Sequence, residues 1–76
     1  MSPKLPVVTP KKVIRALKRA GFVFKRQTGS HQTYIHPERP HKVVTVPYHA
    51  TDLKKSTLKN ILRQAEMRVD ELIDLL

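Results

Sequence analysis

Apolar residues recur along this 76-residue chain with two different periods, and the change of period divides it into elements. Val13, Ile14, Leu17 and Ala20 fall at helical spacing, so they share one face of a helix whose other face carries Lys11, Lys12, Arg15, Lys18 and Arg19. Thr9 is a good N-cap ahead of it. Pro10 suits the first helical position, where its missing N–H costs nothing, and Gly21 closes the helix. Beyond Gly21 the pattern changes to strand formers: Phe22 to Gln27, His31 to His36 and Lys42 to Val46 are rich in aromatic and β-branched residues. Gly29 and Ser30 punctuate the first pair of strands, since glycine adopts positive φ at little cost, and Pro37 to Pro40 makes the second turn. The alternation leaves open which strand face is buried. Helical spacing returns at Leu58, Ile61, Leu62 and Ala65, with Ser56 as the expected N-cap, and residues 70–76 read as a short terminal helix whose leucines fold back on the core.

Helix, three antiparallel strands, helix and helical tail define an α+β class. Short loops favour a meander with both main helices on one face, because a sheet this small must bury one side. That is the layout of a double-stranded-RNA-binding domain. The whole chain, residues 1–76, makes a single domain, and residues 1–8, with Pro3 and Pro6, form an extended arm ahead of it.

Charge changes this picture more than composition does. The chain carries +9 at pH 7, which suits a partner such as nucleic acid, an anionic membrane or an acidic protein. The sign is uneven: residues 1–65 hold fourteen basic and two acidic side chains, whereas the last eleven hold Arg68 against Glu66, Asp70, Glu71 and Asp74. The body therefore carries the positive field. With no cysteine, no apolar run of membrane-spanning length and an opening segment too polar for a signal peptide, a cytoplasmic protein with no membrane partner is expected. A chain this short also favours extended binding surfaces over deep clefts.

The stretch Lys25 to Tyr34 holds the candidate chemistry. His31 falls at the first position of the strand that returns from the turn, and imidazole both takes and gives a proton near neutral pH. Lys25 and Arg26 on the adjoining strand would hold any phosphate it met, together with Gln27 and the turn amides of Gly29 and Ser30. His31 and His36 lie five positions apart on one strand and so face opposite ways, while His41 and His49 add no spacing typical of zinc ligands; no metal and no cofactor are expected. Lys11 and Lys12 are balanced between a solvated helix face and a phosphate-contacting one, and Tyr34 between packing and stacking on a base.

At these residues the chain resembles the HicA toxins, small ribonucleases of HicA–HicB toxin–antitoxin systems. The resemblance spans residues 10–76. It rests on Ala20, Gly21 and Phe22 after the first helix, Arg26 to His31, Val44 to Pro47 followed by His49, and Thr57 to Ala65, in that order and at those separations. It implies a double-stranded-RNA-binding-like fold, cleavage of mRNA by the histidine of the Gly29-Ser30-His31 segment, and neutralisation by a HicB-type antitoxin. Two positions depart from the family pattern. Ser56 stands where glycine is frequent, and Arg68 stands where a small capping residue commonly opens the terminal helix, so that helix is expected to fray.

Metal-free RNA cleavage needs a base for the 2′-hydroxyl proton, an acid for the leaving 5′-oxygen, and fixed positive charge for the transition state. His31 suits one proton role; His49, Tyr34 or water suits the other, and the sequence does not choose among them. The leading reading is a metal-independent endoribonuclease. A non-catalytic RNA- or DNA-binding module, or an interaction domain for an acidic partner, would use the same basic surface.

Overall fold

A computed structural model of the protein describes residues 4–76. Helix α1 (Pro10–Arg19) leads into a three-stranded antiparallel meander of β1 (Val23–Thr28), β2 (His31–His36) and β3 (Arg39–Pro47), followed by α2 (Lys55–Ala65) and α3 (Val69–Leu75). This is the expected α+β, double-stranded-RNA-binding-like arrangement. Of the expected N-terminal arm, residues 1–3 lie outside the described residues; the remainder docks, with Val8 buried and its carbonyl accepting the Leu53 N–H at 2.8 Å.

Helix α1 starts and stops as its sequence dictates. Thr9 is extended and its hydroxyl accepts the Lys12 N–H, and Pro10 opens the first turn. At the other end Phe22 N–H donates to Leu17 O and Gly21 N–H to Lys18 O, the two bonds of a Schellman motif with Gly21 at φ +101°. The dihedral favours glycine, and a Cβ at Gly21 would lie 2.9 Å from His36 Nε2 and push that ring aside. Phe22, expected as the first residue of the strand, is instead the buried plug of this motif, and its ring meets the His36 imidazole edge-on at 5.3 Å.

The register answers which sheet face is buried. Tyr34 pairs with Val44 and Gln32 with Val46, and Tyr34, Val44 and Val46 join Val13, Leu17, Leu58, Ile61 and Leu72 in one core. The other face, bearing His31, Thr33, Ile35 and their partners Pro47, Thr45 and Val43, has no helix over it. Both helices therefore sit on one side, and His31 and His36, an odd number of positions apart, face opposite ways.

Other boundaries differ from expectation too. The second turn is only Pro37 and Glu38, and Arg39 pairs with His36 to begin β3; Pro40 is tolerated there because β3 is an edge strand and the register is irregular next to it. Helix α2 begins at Lys55 with Lys54 as its N-cap and no side-chain capping bond, so Ser56 lies inside the first turn. The buried Leu53, tied to Val8, fixes where the chain turns into the helix and overrides the local cap preference. Helix α3 begins at Val69. Its N-cap Arg68 lacks a side-chain acceptor, but Glu71 reaches back to accept the Arg68 backbone N–H at 3.2 Å, which supplies the missing closure. Leu72 is fully buried and Leu75 packs against the core, as the leucine spacing implies.

Candidate active site

The hairpin that carries His31 is braced from one side and open on the other. Gly29 has φ +58°, and among the described residues Ser30 does not share a positive φ; positive φ at the first central position alone is the sign pattern of a type II′ turn. Its carbonyls are held. Gln27 Nε2 donates to Gly29 O at 3.0 Å, and the Tyr48 N–H donates to Ser30 O at 2.6 Å, which clamps the end of β3 to the turn. Behind Gln27 a chain of side-chain bonds continues: Gln32 Nε2 donates to Gln27 Oε1 at 3.2 Å, and the Tyr34 hydroxyl donates to Gln32 Oε1 at 2.7 Å. This relay lies on the helix side of the sheet. It stiffens the turn without occupying the face that presents His31.

A bulge decides which cations reach that face. Phe24 pairs with Tyr34 but Arg26 pairs with Thr33, leaving Lys25 as the extra residue. Without it, Phe24 and Arg26 would share a face by simple alternation. With it, Phe24 turns toward the helices and packs edge-on against Tyr34 at 5.7 Å, while Arg26 turns to the open face beside Thr33 and diagonal to His31. Lys25 is exposed at the edge between the two.

His31 is exposed, pairs across the sheet with Thr28 and Pro47, and among the described residues its ring makes no side-chain hydrogen bond. The structure thus brings together His31, the Gly29-Ser30 turn, Arg26 and the bulged Lys25. Gln27 lies on the opposite face as a brace. Lys11 and Lys12 belong to α1, behind the sheet, and His49 follows Tyr48 in the loop clamped to the turn, its Nδ1 3.1 Å from Thr51 Oγ1. Tyr34 is buried on the helix side with its hydroxyl committed to Gln32; desolvation by burial, with a smaller contribution from Tyr48, holds its pKa above the usual tyrosine value. Its ring packs in the core and its hydroxyl is held by Gln32.

No three His, Cys, Asp or Glu side chains converge as a metal site among the described residues, and no helix among them is long and apolar enough to cross a membrane. The Lys25 bulge and the Gln27–Gln32–Tyr34 relay carry no signal in the sequence beyond hydrogen-bonding residue types, because both arise from cross-strand register.

A histidine-bearing hairpin on the open face of a double-stranded-RNA-binding-like fold defines the class. A family model described as the HicA toxin of bacterial toxin–antitoxin matches residues 10–67, from the start of α1 to just past α2. The chain belongs to the HicA toxin family. No curated protein matches it.

Proposed function

We propose that this toxin is a metal-independent endoribonuclease that cleaves mRNA in the cytoplasm, with His31 as its catalytic histidine and a HicB-type antitoxin as its inhibitor. The observation that carries the reading is the setting of His31: an unencumbered imidazole, directly after a rigid turn, on a sheet face that also carries Arg26. His31 takes the proton of a ribose 2′-hydroxyl, the 2′-oxygen attacks the adjacent phosphorus, and the 5′-oxygen departs with a proton from water or His49. The products are a 2′,3′-cyclic phosphate and a 5′-hydroxyl, with no redox change and no co-reactant. Arg26 and Lys25 hold the phosphate and offset the charge that gathers on its oxygens as the bond breaks. The antitoxin is acidic and lies over His31 and this pair of cations, so that it excludes RNA by occupying the same face.

The product ends test the reaction class. Purified protein incubated with single-stranded RNA in EDTA is expected to leave 2′,3′-cyclic phosphate and 5′-hydroxyl termini. Activity only with added divalent metal, leaving 3′-hydroxyl and 5′-phosphate ends, contradicts this mechanism.

A further inference from the structure

On the side of the sheet away from His31, α1 stands off from β1 and β2 and leaves a groove of about 460 Å³. One wall is cationic: Lys11, Arg15 and Lys18 project into it from successive turns of α1. The facing wall is aromatic, with Phe24 51 % and Tyr48 44 % exposed. Among the described residues no carboxylate lines the groove, and none of the three cations has an ion-pair partner.

This arrangement costs the fold something. Lys11–Arg15 and Arg15–Lys18 are like-charge neighbours at i,i+4 and i,i+3, an arrangement that disfavours the helix. Lys11 also sits in a first turn that has no acidic residue, where the helix dipole disfavours a cation. Two large aromatic rings held half in water add to that cost. An anionic ligand with a flat apolar part relieves both at once. The floor adds a polar handle: Gln32 uses one amide proton on Gln27 and keeps the other, a donor for a carbonyl or ring nitrogen.

We propose that the groove seats an unpaired RNA nucleotide flanking the cleaved one, its base against Phe24 and Tyr48 and its phosphates against Lys11, Arg15 and Lys18. The inference rests on the reading that RNA is the substrate. The bulge supplies the route between the two sites. Phe24 opens into the groove, Lys25 sits at the exposed edge of the sheet, and Arg26 lies beside His31, so three consecutive side chains lead a single strand around β1 from one face to the other. β1 is an edge strand, so this path rounds a single strand. Base stacking on exposed aromatics over a cationic groove is a sequence-tolerant way to hold single-stranded RNA, and here it would select unpaired over duplex substrate.

The test measures RNA affinity, not cleavage, so that it stands apart from the catalytic reading. In the full-length His31→Ala background, binding of a fluorescein-labelled single-stranded RNA is compared for three further changes: Arg15→Glu with Lys18→Glu, Phe24→Leu with Tyr48→Leu, and Arg68→Glu as a charge control. Circular dichroism verifies folding of each. The first two sets are expected to weaken binding about tenfold or more, as for loss of one stacked base or its phosphate contacts, and the Arg68 variant much less. An RNA carrying 2-aminopurine should also show quenching that the aromatic double variant abolishes. If the groove variants fold and bind RNA as well as their parent, the proposal is wrong; if they instead lose only antitoxin binding, the groove is a protein-docking surface and the proposal is equally overturned. Groove-dependent RNA binding by a wild-type protein that does not cleave RNA would leave the groove as an RNA-nucleotide site and remove the catalytic reading.

Discussion

Tyr34 illustrates how one side chain joins packing to the hairpin that carries the histidine. Its ring lies in the core against Phe24, and its hydroxyl begins the relay that ends at the Gly29 carbonyl. Because burial raises its pKa, the folded state holds the phenolic proton more tightly than the unfolded chain does. The resulting stability is fully present below about pH 10, the ordinary tyrosine value, and is lost as pH rises through the higher folded value. Chemical denaturation between pH 9 and pH 11 should therefore show a fall in stability that is shallower in Tyr34→Phe. An equal fall in both proteins would place the pH dependence elsewhere. The role of His31 as the presented imidazole was legible from residue order alone, because a glycine-serine turn fixes the strand start that follows. That the Tyr34 side of the strand, and not the His31 side, is the buried one was not, since the buried face of a three-stranded sheet depends on where the helices pack.

Helix ends supply the clearest contrast between elements. Gly21 closes α1 at φ +101° with His36 against the site of a Cβ, so Gly21→Ala should destabilise the protein by about 1–3 kcal/mol. Glu66 closes α2 with the same pair of bonds, Met67 N–H to Leu62 O and Glu66 N–H to Arg63 O, but as a non-glycine at φ +53°. Its carboxylate pairs with the exposed His41 at 3.0 Å, a contact of small worth at the surface. Glu66→Gly should therefore raise stability by about 0.5–1 kcal/mol and the melting temperature by a few degrees. A lower melting temperature would mean that the His41 pair outweighs the backbone strain. The first of these ends is written in the sequence as Ala20-Gly21-Phe22. The second is not, because nothing in Ala65-Glu66-Met67 announces a left-handed residue. Strand β1 belongs with the second kind: Phe24 suggests a buried side, yet every residue of the strand is exposed, and only the register reveals the bulge that divides Phe24 from Arg26.

For the molecule as a whole, the two faces of one thin sheet carry different tasks on the proposed reading, chemistry on the open side and grip on the helix side. Its affinity for single-stranded RNA should fall with salt by about 0.7 in log K per phosphate contact in log salt. Charge reversal at Lys25 and Arg26 should reduce both affinity and slope more than reversal at Arg68, which already pairs with Asp70 and Glu71. Equal losses at all three would mean that net charge governs binding. In the antitoxin complex, diethyl pyrocarbonate should modify His31 far more slowly than in the free toxin. Undiminished reactivity in an inhibited complex would exclude direct coverage of the site. The most direct measurement is the rate of single-stranded RNA cleavage in EDTA by wild type and His31→Ala, prepared identically and checked for folding by circular dichroism. The variant is expected to be as well folded as wild type and to cleave at least about 10²-fold more slowly, the typical worth of a general acid or base; cleavage by the folded variant at the wild-type rate would contradict the assignment of His31.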